Sequence, residues 1–153
     1  MTIRHHRNDE GFSLIEVVIV IAVIGILIAS AIPTMGYVRK RSAEKSAMSS
    51  AMAGFASSKS VLLDLEDWTN APTTAMSAAE PTLSFTRGPA VYSTGSRAIA
   101  YDTNVNSIKI AVFAGSGTCF RIYEVQGSPA KFGKEAMTNS ALCIPAVVTT
   151  GSW

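Results

Sequence analysis

The stretch Asp9–Arg41, DEGFSLIEVVIVIAVIGILIASAIPTMGYVRKR, decides how the rest of the chain is read. From Phe12 to Ile32 the side chains are apolar or small for 21 residues, with one exception, Glu16. At about 1.5 Å per residue, a helix of that length covers roughly the 30 Å of a bilayer core. A secretory signal peptide is the competing reading, because Arg4 and Arg7 precede the run and Ala29-Ser30-Ala31 offers a small-x-small cleavage site. The apolar part of such a peptide spans only about 7 to 15 residues, however, and a glutamate inside it weakens recognition. A carboxylate deep in hydrocarbon costs a few kcal/mol, so Glu16 calls for a cation. No basic residue lies within a turn or two of it. A cut immediately before Phe12 would supply one, as a charged α-amine one helical turn away.

Outward from this stretch the character changes. The chain has 153 residues, 48% of them hydrophobic, and a net charge of +2, which suits one compact domain plus one anchoring segment. Mean hydropathy is +0.27, with the apolar excess concentrated before Pro33. Positive residues beyond Lys45 are scattered singly, so no clustered patch marks a nucleic-acid footprint, and nucleic-acid binding stays open without support. Both histidines, His5 and His6, fall in the first ten residues, and a chain cut after them has no imidazole for general-base catalysis or metal ligation. Cys119 and Cys143 belong to no C-x-x-C pair, and one structural disulfide between them is expected, in an oxidising, extracytoplasmic compartment.

Gly11 followed by Phe12-Ser13-Leu14-Ile15-Glu16, after a short leader with basic residues and before a long apolar run, resembles the class III signal of type IV pilins and pseudopilins. The resemblance implies that a prepilin peptidase cuts between Gly11 and Phe12 on the cytoplasmic side and methylates the new Phe12 amine. Glu16 then stands where the family carries its assembly glutamate, and Pro33 where many members carry a helix-kinking proline. The implied partners are the peptidase, further copies of the chain in a homopolymeric or mixed filament, and, indirectly, an inner-membrane assembly platform with its ATPase. Membrane lipid surrounds the helix before assembly. The implied location is the cytoplasmic membrane with the N-terminus in the cytoplasm, then the cell surface. Arg39, Lys40, Arg41 and Lys45 at the far end of the span oppose that orientation by the count of positive charges. The N-in orientation is kept, because the inverse would place the cysteines in a reducing compartment and the Gly11–Phe12 bond out of reach of the peptidase. A pseudopilin of a type II secretion or DNA-uptake machine shares the same signal, and a solitary membrane-anchored binding domain is a third reading.

Beyond Pro33 the pattern is helical again from Tyr37 to Leu65, with Ala47, Met48, Ala51, Met52, Phe55, Leu62 and Leu65 on one broad face. The helix is expected to bend at Pro33 and continue, with Lys59 snorkelling its charge outward. From Leu83 the period shortens to alternation, with strands expected at Leu83–Thr86, Ala90–Ser93, Ala98–Tyr101, Ser107–Phe113 and Cys119–Val125, three or four of them forming an antiparallel sheet over the helix stripe. Pro145 confines Cys143–Val148 to an edge strand or a clamped tail. The fold class is therefore α+β. Its parts are a leader over 1–11, a membrane-spanning and polymerising helix over 12–36, an amphipathic helix over 37–68, a connecting loop over 69–82 and a β-sheet region over 83–153. A Cys119–Cys143 bond would close a loop of about 25 residues, worth roughly 3 to 4 kcal/mol, and the resemblance implies such a disulfide-bounded tail.

Three further patterns are weak. Asp102-Thr103-Asn104-Val105-Asn106 starts like a calcium loop but continues with Ser107 where glycine is needed and Phe113 where glutamate is needed, so it reads as a turn between strands. Gly115-Ser116-Gly117 reads as a hairpin turn. Asp64, Glu66 and Asp67 read as a solvated helix end. No catalytic group, cofactor site or metal site is expected, and the chain is read as a structural subunit and not an enzyme.

Overall fold

The computed structural model describes residues 11–66, 68, 69, 71–148 and 153, without the side chains of 31–34. The chain falls into two compact units, one ending at Tyr37 and the other running from Val38 to Trp153. Helix α1, Leu14–Leu65, supplies most of the first unit and the opening of the second. Its backbone is helical from Leu14 to Leu65, and the bend expected at Pro33 falls on residues 31–34, where it lies outside what the structure describes. The leader expected over 1–11 also lies outside them, apart from Gly11.

The second unit, the head, is an α+β fold. Five strands follow the helix in chain order and lie side by side in that order: β1, Ser84–Arg87; β2, Ala98–Asn104; β3, Ser107–Ala114; β4, Thr118–Val125; and β5, Lys131–Ala136. Strands β2 to β5 pair antiparallel, and the turn at Gly115-Ser116-Gly117 falls where the sequence places it; the turn expected over Asp102–Asn106 is shorter, only Val105-Asn106, because Asp102, Thr103 and Asn104 pair with β3. Strand β1 instead pairs parallel to β2, with Ser84 opposite Ala98, because residues 88–97 carry the chain back to the starting end of β1.

Side chains alternate across the sheet. One face presents two continuous rows, Ile99–Val112–Phe120 and Tyr101–Ile110–Ile122, to the helix. The helix answers with a ridge of small residues: Ala47, Ala51, Gly54 and Ser58 are buried, followed by Val61 and Leu62. At Gly54 the approach is so close that a Cβ would lie 3.2 Å from the Ile99 side chain. This narrows the expected stripe. Met48 and Met52 are 37% and 40% exposed and Leu65 also faces out, because large side chains on the contact ridge would hold helix and sheet apart.

The opposite face of β3 is covered as well. Ala100, Ala111, Cys119 and Cys143 form a second buried cluster with Val91, Phe113 and Met137 around it. The covering material is the tail, which runs through a 3-10 turn at Ser140–Leu142 and shows no strand over 143–148, so the clamped-tail alternative is the one adopted. Cys119 and Cys143 are joined by a disulfide with Cα atoms 5.5 Å apart. Arg121 reinforces it: Nε donates to the Ile144 carbonyl at 3.2 Å and Nη2 to the Leu142 carbonyl at 3.3 Å.

Three expectations are corrected. The connector expected over 69–82 contains a helix, α2, Thr73–Ala79, which follows Pro72 and is pinned by the fully buried Met76. Seven residues are too few to show a helical period in sequence. The segment Ala90–Ser93 is not a strand. Ser93 turns its hydroxyl inward, accepting from the Phe113 amide at 2.8 Å and donating to the Ala98 carbonyl at 2.6 Å, so a side chain serves where a strand was expected. Strand β5, KFGKEA, was not expected, since it carries three charges and a glycine. Its backbone pairs with β4, and Gly133 leaves room for the tail: a Cβ there would lie 2.9 Å from Val148.

Candidate assembly site

The candidate residues Gly11, Phe12 and Glu16 stand together at the start of α1. Gly11, Phe12 and Ser13 are exposed and precede the helix, which leaves the Gly11–Phe12 peptide in open, non-helical backbone. The helix begins when the Ser13 carbonyl accepts from the Glu16 amide at 3.0 Å and the Val17 amide at 3.3 Å. Glu16 therefore sits in the first turn, where a negative charge is favoured by the unpaired amides of the helix end. No ion pair involves Glu16 among the described residues.

The side chains after it are open to the surroundings. Phe12 is 79% and Leu14 82% exposed, and the large apolar residues from Ile15 to Ile28 are exposed with them. An apolar surface of this length, broken by Glu16 near its start, marks an interaction with lipid or with other protein. Among the described residues no single helix is long and apolar enough to cross a membrane; Leu14–Ser30 and Met35–Leu65 pass that test only as a pair, by length and composition.

The disulfide belongs to the head, not to this site. The head also holds ionic contacts that no sequence pattern announced. Lys59, expected to point outward, turns to the sheet, where its Nζ lies 2.7 Å from Glu124 Oε1 and 5.1 Å from the centre of the Trp68 ring. Asp102, in the calcium-like segment, accepts from Lys109 at 3.1 Å across the β2–β3 hairpin. No group of three or more His, Cys, Asp or Glu side chains is placed to hold a metal ion among the described residues.

Residues 6–32 match the family described as the prokaryotic N-terminal methylation motif. The chain thus carries the class III prepilin signal of type IV pilins and pseudopilins, which supports a pilin-like or pseudopilin subunit and implies processing by prepilin peptidase and filament assembly. The motif also suggests a membrane-anchored N-terminal helix. Comparison with curated proteins and with solved structures gave no match.

Proposed function

We propose that this chain is a prepilin, the structural subunit of a type IV pilus or pilus-like filament, and not an enzyme. The observation that carries the reading is the conjunction at one helix start: an open Gly11–Phe12 peptide, a carboxylate one turn on at Glu16, and a long uncovered apolar helix behind it. Cleavage at Gly11–Phe12 creates an amine at Phe12, which is then methylated. The span holds the subunit in the cytoplasmic membrane, N-terminus inward, with the head and its disulfide on the oxidising side. In the filament the same apolar surfaces bury against one another, so the lipid-soluble segment becomes the core of the polymer. Glu16 pairs with the Phe12 amine of a neighbouring subunit. An unpaired charge in that core is costly, so the correct axial register is favoured over slipped ones. A carboxylate at this position suits a subunit that adds repeatedly, which favours a pilus-forming role over a tip subunit.

Glu16→Ala tests this. Processing and membrane insertion should persist, since the span becomes more apolar and Gly11 is untouched. Assembly should fail, because the neighbour's Phe12 amine would enter the core unpaired, at about 3 to 5 kcal/mol when fully buried. Sheared-filament yield relative to membrane-bound mature protein is the measurement. A wild-type yield from Glu16→Ala would refute the pairing.

A further inference from the structure

The head carries a groove of about 240 Å³ lined by Arg41, Lys45, Met48, Phe120, Lys134 and Trp153, with Glu44 at its rim. Its floor is built and apolar. The Trp153 indole N–H donates to the Gly133 carbonyl at 3.0 Å, and its ring packs edge-on against Phe120 at 5.4 Å and Phe132 at 5.1 Å. The rim is cationic. Glu44, its one carboxylate, accepts from the Thr118 hydroxyl at 3.1 Å and the Ser116 hydroxyl at 3.4 Å, so it is engaged by the β3–β4 turn. A matching ligand would offer apolar side chains flanked by carboxylates.

The chain carries such a segment at the other end of the head. Helix α1 ends in Leu63-Asp64-Leu65-Glu66, with Leu63 65% and Leu65 45% exposed and both acids exposed. Glu66 leaves the helix with φ of 52°, so the exposed segment is a helix end, and the chain turns into the core only afterwards, at Trp68. Lys45 and Asp64 are roughly 30 Å apart along the helix axis. One copy cannot bring its own segment into its own groove.

We propose that the groove receives the Leu63–Glu66 segment of a second copy of this chain, with leucine on the Phe120–Trp153 floor and Asp64 and Glu66 against Lys45 and Lys134. The contact joins two different surfaces, so it is head to tail, the class of contact that builds an open filament wherever its rotation does not close a ring. It rests on the reading of the chain as a polymerising subunit and adds a second interface, between heads, to the one made by the N-terminal helices. The rim charges stay near solvent, so they orient and select the incoming head, while the apolar floor supplies the persistence of the contact.

The test uses the full-length chain in its native membranes and filaments. Two differently tagged copies, one carrying Met48→Cys and the other Leu63→Cys, are co-expressed and treated with a short bismaleimide. Mass analysis of the products checks that Cys119–Cys143 is intact. The expected result is a mixed Met48→Cys/Leu63→Cys product about tenfold above that from either variant alone, declining as salt screens the rim. Lys45→Glu with Lys134→Glu should remove it, and Asp64→Lys with Glu66→Lys in the other copy should restore it. No mixed product, or one indifferent to charge reversal, would overturn the proposal. So would cross-linking of Met48→Cys to itself, which means groove against groove. Protection of Met48→Cys from a water-soluble maleimide without the mixed product would give the groove to lipid or to another protein. Filaments without the mixed product would leave polymerisation standing and sink the docking; the mixed product without filaments would do the reverse.

Discussion

Position 124 holds a carboxylate where strand alternation calls for an apolar side chain. Glu124 faces the helix in line with Phe120 and Ile122, and it is tolerated because Lys59 reaches across from α1 at 2.7 Å. Its second oxygen has no partner, so the site depends on that single contact. Lys59→Met should therefore destabilise the head by about 1 to 3 kcal/mol, since it strands a buried acceptor. Adding Glu124→Leu should recover most of the loss. Chemical denaturation of the detergent-solubilised chain, followed by tryptophan fluorescence, would show whether the double variant is the more stable. Tyr101 makes a second such contact, its hydroxyl donating to the Ala71 carbonyl at 2.9 Å. Burial pushes the phenol up from 10.0 to about 12, with the nearby Arg87 charge acting the other way. The folded state favours the neutral phenol. Its contribution is complete below pH 10 and is lost as pH rises toward 12. Tyr101→Phe should cost about 1 kcal/mol at pH 8 and should flatten the alkaline part of the stability profile. An equally steep decline in that variant would assign the pH dependence to another group.

At the scale of elements, the ridge of small residues on α1 and the tail on the far side of β3 clamp the same strand from both faces. The tail has no ladder of its own over 143–148. It is held by the disulfide, by Arg121 and by the Ser93 amide, which donates to the Cys143 carbonyl at 3.0 Å. Because the bond closes a loop with a separation of 24 residues, Cys143→Ser should cost roughly 3 to 4 kcal/mol. Loss of the tail would also uncover Ala100 and Ala111. Limited proteolysis should then cut first in the region after β5, and a proteolysis rate equal to wild type would show that polar contacts alone secure the tail.

For the molecule as a whole, the proposed processing falls at a bond between two exposed residues, Gly11 and Phe12. The mature chain should begin at Phe12 with a methylated amine. Intact-mass measurement and N-terminal sequencing decide this, and a chain beginning at Ile32 would instead establish secretory cleavage. The two units differ in what they bury: the N-terminal helix leaves its apolar surface exposed, and the head holds a buried core of its own.

The candidate assembly site was legible in the sequence because it is local. Gly11, Phe12, Glu16 and the apolar run lie within one contiguous stretch, so spacing along the chain is also spacing in space. Strands β2, β3 and β4 were legible for a related reason, since alternation and short turns are properties of neighbouring residues. The two cysteines offered one intrachain pairing, and the fold brings them together. What only the tertiary structure decided depends on partners distant in the chain. Strand β5 exists because β4 offers a ladder edge to a charged segment, α2 because a pocket receives Met76, and β1 runs parallel because of the path taken by 88–97. Lys59 turned inward because a carboxylate 65 residues away was there to meet it. Met48 and Met52 were left outside because helix and sheet approach more closely over alanine, glycine and serine than over methionine.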